Sequence, residues 1–150
     1  DFTGAHRRLE YKGTFSDVSI YDDYAHHPTE IKATCSALHN KKFNESWVIF
    51  QPHTYSRTKN LLDDFVEALS DFDHIILTDI YAARELNTYG ISSQDIANRI
   101  NTSRRSNENC ECISDFDDIV NYLKEHTQPN DIVLTLGAGT ITDLGPMLLK

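Results

Sequence analysis

Two carboxylates, a phenol and two imidazoles fall within six residues, at Asp22, Asp23, Tyr24, His26 and His27. Groups of these types can hold a ribose, bind a metal ion or carry a proton near neutral pH. They could instead cap the helix that Pro28 opens and satisfy its orphan backbone N–H groups. Five polar groups directly after an apolar run favour a functional site over capping alone. A metal site drawn from Asp22, Asp23, His26, His27 and His53 ranks lower, because adjacent histidines rarely ligate one ion together.

A second concentration is Gln51-Pro52-His53-Thr54-Tyr55-Ser56-Arg57-Thr58. Arg57 lies near the start of a helix, where the macrodipole favours anions over cations. The same placement makes an anion receptor: helix N–H groups beside a guanidinium that can grip a carboxylate with two parallel bonds. The competing reading is a solvated Arg57 paired with Asp63 or Asp64. Tyr81-Ala82-Ala83-Arg84-Glu85 is a third cluster, in which Arg84 and Glu85 are expected to pair with each other. Gly137-Ala138-Gly139 also follows an apolar run, but Thr142 stands where a dinucleotide fingerprint needs glycine. Those glycines suit a tight strand-to-helix turn close to a substrate or another domain. Arg7-Arg8 fits an exposed edge as well as a phosphate contact. No G-x-x-x-x-G-K-[ST] motif occurs, so a main grip on ATP phosphates would lie elsewhere.

The elements that must position these residues alternate along the chain. Strands are expected over Leu9–Phe15, Val18–Tyr21, Trp47–Phe50, His74–Ile80, Cys110–Ile113 and Asp131–Leu136. Helices are expected from Pro28, through Leu61–Leu69, over Ser92–Ile100, after a cap at Ser114 or Asp115, and after Gly139. Leu61, Leu62, Phe65, Val66 and Leu69 form one apolar helical stripe. Thr102–Asn109 is polar and reads as a loop. Continuous apolar runs such as Val48-Ile49-Phe50 suit strands covered on both faces, as a parallel sheet requires. The class is α/β, an open sheet wrapped by helices. Ligands of such sheets bind beyond the carboxyl ends of the strands. That rule selects Asp22–Pro28, Gln51–Arg57, Asp79–Glu85 and Gly137–Thr140.

The chain's 150 residues suit one domain, within the usual range of about 100–200. A formal charge of −9 argues against nonspecific nucleic-acid binding, which needs cations to displace counterions. No apolar stretch approaches the ~20 residues that span a bilayer. Cys35, Cys110 and Cys112 have no zinc-type spacing and read as reduced thiols of a cytosolic protein. The sequence opens inside a strand-forming segment, so a fragment of a longer chain is expected.

Taken together, these motifs resemble the C-terminal domain of the Mur ligases. The similarity covers most of the chain: Gly-x-x-Arg-Arg at Gly4–Arg8, DDYAHHPTE at Asp22–Glu30, QPHTYSRT at Gln51–Thr58, DIYAARE at Asp79–Glu85 and the Gly137–Gly139 turn. The pairing of DDYAHHPTE with PHTYSRT resembles the alanine-adding branch most. The resemblance implies a Rossmann-like open, mostly parallel sheet with helices on both faces. Residues 1–150 would be a single domain, with 1–16 as the strand and linker arriving from a central ATPase domain. An N-terminal domain would hold the UDP-sugar.

The implied activity is an ATP-dependent ligase of bacterial peptidoglycan synthesis, cytoplasmic, joining L-alanine to UDP-N-acetylmuramate through an acyl phosphate. Its partners would be those substrates and its own other domains, with no nucleic acid and no membrane. The domain alone would be inactive. ATP and Mg2+ would be held mainly by the central domain. Arg8 would take a phosphate-side role and Asp23 a ribose or metal-shell role. Tyr24, His26 and Arg57 would form the amino-acid pocket, with His53 behind them and His26 as a possible base. Gly139 is followed here by Thr140, where relatives usually carry Asp or Ser. The alternatives are another Mur ligase, the ligase that recycles murein tripeptide, or a free-standing α/β module for a metal or other ligand.

Overall fold

The computed structural model describes residues 8–103 and 110–150. Gly4 and Arg7 of the leading motif, and 104–109 of the polar stretch, lie outside the described residues. The chain runs β1 (Glu10–Phe15), β2 (Val18–Asp23), α1 (Pro28–Leu38), β3 (Ser46–Phe50), α2 (Tyr55–Asn60), α3 (Leu62–Leu69), β4 (His74–Leu77), α4 (Ser93–Ser103), β5 (Glu111–Cys112), α5 (Phe116–His126) and β6 (Ile132–Leu136). A 3₁₀ turn at Thr140–Asp143 then leads into α6 (Leu144–Leu148).

The six strands form one sheet in the order β1-β2-β6-β3-β4-β5. The β1–β2 pair is antiparallel, and every other pair is parallel. The expected α/β architecture is therefore present. Side chains alternate across a strand, and both faces are covered. Val48 and Phe50 point into a core shared with α1, α3 and α4. Trp47 and Ile49 point into a second core shared with α5 and α6. This double burial is why the β3 run is apolar at every position. The chain steps outward from β3 to β4 to β5 on one face, then reverses to reach β6. A right-handed crossover after such a reversal must place its helix, α5, on the opposite face.

Three expectations about extents are corrected. The helix carrying the apolar stripe begins at Leu62, although Leu61 still packs against the same core with Leu62 and Val66. Leu61 leaves helical geometry between α2 and α3, and the fully buried residues of α3 are Phe65, Ala68 and Leu69. The fourth strand ends at Leu77, not Ile80. Thr78 N–H still bonds to the Phe50 carbonyl, but the chain then crosses toward His53. Thr102 and Ser103 continue α4 rather than starting a loop. Their hydroxyls donate back to the carbonyls of Asn98 and Ile100 and so do not pull the backbone out of the helix.

Because β2, β3, β4 and β6 run parallel, Asp23, Phe50, Leu77 and Leu136 end at one edge of the sheet. All four polar clusters follow those ends. At the opposite edge the Asp131 carboxylate, almost fully buried, gathers the Asn44 amide, Glu45 N–H, Trp47 Nε1 and Gln128 N–H.

Candidate functional site

The first cluster divides into groups that hold the fold and groups that face the edge. Asp22 is buried and accepts from the hydroxyls of Thr135 (2.6 Å) and Thr142 (3.1 Å), tying β2 to β6 and to the 3₁₀ turn. Asp23 is buried and accepts from Ala25 N–H (2.8 Å), Thr34 Oγ1 (3.0 Å) and Leu9 N–H (3.1 Å). Burial pushes its carboxyl above the ordinary range, against those three bonds and the nearby Arg8 charge, which favour the charged form. Asp23 thus fixes the backbone next to Arg8, whose side chain is exposed.

His27 behaves as the capping reading required. Its Nδ1 accepts from Thr29 N–H at 3.3 Å, while Glu30 Oε1 accepts from the N–H groups of His26 and His27. That exchange is a capping box at the start of α1. Burial alone would raise the Glu30 carboxyl; the N–H bonds from His26 and His27 together with the charges of His26 and Arg8 outweigh it and hold it below its ordinary range.

His26 faces the edge. Its Nδ1 lies 3.1 Å from the Tyr24 carbonyl, which can only accept. In the neutral ring this contact puts the proton on Nδ1 and leaves Nε2 as the acceptor. Its ring meets the edge of Tyr24 at 5.2 Å and lies 5.7 Å from the ring of His53. His53 in turn meets Tyr81 edge-on at 5.5 Å. Four rings from three strand ends thus form one line. His53 Nδ1 is buried without a hydrogen-bond partner among the described residues.

Burial, then the charges of His26 and Arg57, push His53 below the ordinary histidine value of 6.5. The folded chain therefore resists a proton that the unfolded chain accepts. Stability should be full above pH 6.5 and fall as the pH drops from there until His53 itself charges. Urea titrations from pH 7.5 to 5 should show this fall, and it should be smaller in His53→Asn. An identical fall in that variant would assign it to other groups.

The β6 turn closes the edge beneath these rings. Gly137 has φ +147°, and a Cβ there would meet the Gln51 carbonyl at 2.9 Å. At Gly139 a Cβ would lie 2.6 Å from Gln51 Oε1 and 2.8 Å from Tyr81. Gln51 accepts from Ile141 N–H and donates to Thr140, fastening the turn to β3. Glycine is thus needed for close approach to this chain's own Gln51 and Tyr81, and Thr140 serves as an acceptor.

Arg57 stands in the first turn of α2, partly buried, and forms no ion pair among the described residues. The competing reading, a pairing with Asp63 or Asp64, is not what the described residues show: no ion pair joins Arg57 to either, and Asp63 pairs with Arg99. Two further readings change. Glu85 does not pair with Arg84: its Oε1 accepts from Tyr55 N–H (2.7 Å) and Ser56 N–H (3.0 Å), and its Oε2 from Ser56 Oγ (2.5 Å). Thr54 Oγ1 accepts from Arg57 N–H at 3.3 Å. The N–H groups of α2 are therefore occupied by the protein's own oxygens. The anion receptor reduces to the Arg57 guanidinium.

Sequence reasoning missed this role of Glu85. The sole signal was an acidic residue in the cluster after β4, with no means of knowing which helix it would reach. The described residues contain no group of three or more His, Cys, Asp or Glu able to hold a metal ion. None of their helices is long and apolar enough to cross a membrane. Among the three thiols, burial first, then nearby acidic charge, pushes Cys35 and Cys112 up to about 11.

With this geometry in hand, the similarities to known proteins are specific. The family described as Mur ligase, glutamate ligase domain, matches residues 7–139. The UDP-N-acetylmuramate–L-alanine ligase of Caldanaerobacter subterraneus subsp. tengcongensis is 50% identical over 150 residues, 100% of this chain and 32% of that protein. Among solved structures, the murein peptide ligase of Psychrobacter arcticus superimposes with a TM-score of 0.78 at 22% identity, covering 95% of this chain and 29% of that one. The UDP-N-acetylmuramate-alanine ligase of Thermotoga maritima gives 0.73 at 22% identity, covering 96% and 29%. At such identities the superpositions show a shared fold and do not separate one substrate from another. The chain spans about a third of the length of the curated relatives it matches.

Proposed function

This chain belongs to the Mur ligase family, and from that premise we propose that it is the amino-acid-binding, ATP-closing domain of an alanine-adding ligase. The longer enzyme would join L-alanine to UDP-N-acetylmuramate in the bacterial cytoplasm, during peptidoglycan synthesis. One observation carries this reading. Tyr24, His26, His53 and Arg57 come to a single edge in a chain about half identical, along its whole length, to ligases of that name.

The chemistry asks for what this edge offers. ATP, when bound, would give its γ-phosphoryl group to the muramoyl carboxylate and leave as ADP, and the amine of alanine would then displace phosphate from the acyl phosphate to form the amide. Alanine arrives as a zwitterion, so its carboxylate needs a cation, and Arg57 is unpaired among the described residues. Its ammonium must lose a proton before attack. His26 can take that proton at Nε2, since Nδ1 is committed to the Tyr24 carbonyl. His53 backs His26, and its preference for the neutral form limits positive charge behind the base.

The described residues do not fit Mg2+ as a resident ion, since Asp23 spends both oxygens on protein donors. We assign Mg2+ and most of the ATP to a central domain. Arg8 would serve the phosphates from that side, with Asp23 acting through the backbone that carries Arg8.

A domain exchange tests the proposal. This chain would replace the equivalent 32% of the Caldanaerobacter relative. The hybrid should release phosphate from ATP only when UDP-N-acetylmuramate and L-alanine are both present, and the domain alone should release none. A folded hybrid that ignores L-alanine, while the parent relative uses it, would sink the proposal.

A further inference from the structure

The loop after β4 reaches 29 residues back along the chain to seize the start of α2. Glu85 supplies the contact, with three bonds to Tyr55 and Ser56. Two other bonds join the same segments: Thr54 N–H to the Tyr81 carbonyl, and Tyr81 N–H to the Pro52 carbonyl, each 2.8 Å. Both sides of this junction carry left-handed backbone at non-glycine residues, with φ +67° at Thr54, +56° at Ala83 and +97° at Arg84. Residues in that region persist only where surrounding contacts over-determine them. A six-residue helix cannot hold such a start by its own hydrogen bonds. His53 and Arg57 flank the junction, so the pose of both depends on it.

We infer that Glu85 is a positioning residue for Arg57: by clamping the Tyr55–Ser56 turn it sets where the guanidinium meets the carboxylate of the incoming amino acid. This rests on the function proposed above. The bonds from Ser56, then the Tyr55 N–H and the Arg57 charge, hold the Glu85 carboxyl below its ordinary range, so the clamp is ionised at neutral pH. Glu85 is not itself the amino-acid receptor, because its charge has the wrong sign for a carboxylate. Nor does it pair with Arg57, which would compete with the ligand.

Steady-state kinetics of the longer enzyme carrying Glu85→Ala and Glu85→Gln test the inference, with hydrogen exchange over Thr54–Arg57 as a second readout. Glu85→Ala should raise the KM for L-alanine at least tenfold, with kcat and the KM for ATP changed less than threefold. Glu85→Gln keeps one oxygen for the Tyr55 and Ser56 N–H groups and should recover part of that loss. Exchange at Tyr55 and Ser56 should speed up in Glu85→Ala without global unfolding. A lower alanine KM would show that Glu85 competes for Arg57 and would overturn the inference. So would unchanged kinetics, or unchanged exchange at Tyr55 and Ser56. If the unmutated enzyme shows no dependence on L-alanine, the proposed function fails instead, and the exchange result alone decides whether the clamp exists.

Discussion

Replacing Arg57 with alanine is expected to raise the KM for L-alanine roughly 10- to 100-fold, with a much smaller change for ATP. A hydrogen bond to a charged group is worth about 1.5–3 kcal/mol, which sets that range. Arg57 is suited to the task by what it lacks, an ion pair among the described residues. Asp63 pairs with Arg99, and Glu85 holds the N–H groups of Tyr55 and Ser56. Arg57→Lys keeps the charge but loses the planar fork, so its defect should fall between those of alanine and the native residue. Initial-rate kinetics with each substrate varied in turn make the measurement. Equal losses for alanine and ATP would remove Arg57 from the amino-acid pocket.

The second large effect concerns the opposite edge of the sheet. Asp131→Ala should destabilise the chain by about 3–5 kcal/mol, because it strands several donors in a buried place at once. One oxygen of Asp131 serves the Asn44 amide and Glu45 N–H, and the other serves Trp47 Nε1 and Gln128 N–H. Asn in its place can serve only one of these pairs as acceptor and should lose a substantial part of the stability. Trp47 is the only tryptophan, so its fluorescence reports both the local environment and unfolding in urea. A shift of the urea midpoint equivalent to less than about 1 kcal/mol would mean that water replaces the carboxylate without strain. Neither variant touches the candidate site, so their effects on alanine KM should be small.

The sheet was legible because its central strands are apolar at consecutive positions, which only a strand covered on both faces tolerates. The carboxyl-edge rule then located all four clusters, and the structure brings them together. Within the clusters, residue types did not reveal direction. Asp22 and Asp23 look as available in sequence as His26, yet both are buried and bonded to threonine hydroxyls, Asp23 also to backbone N–H groups. The threonines that do this, Thr34, Thr135 and Thr142, lie in other elements, so nothing local announces them. His27 and His26 are adjacent, and only the α1 cap distinguishes them. Glu85 was placed wrongly because neighbouring opposite charges suggest a pair, whereas a strained loop carries Glu85 across to α2. The division between α2 and α3 was hidden as well, since Leu61 continues the apolar spacing while leaving helical geometry.

The most direct test is phosphate release by the longer enzyme, supplied with ATP, Mg2+ and UDP-N-acetylmuramate and one amino acid or peptide at a time. Release should require L-alanine and should be minimal with other amino acids or with a murein tripeptide. Release with a peptide but not with alanine would contradict the proposed specificity. No release with any of them, from a folded enzyme, would contradict the proposed reaction and return the α/β binding-module alternative.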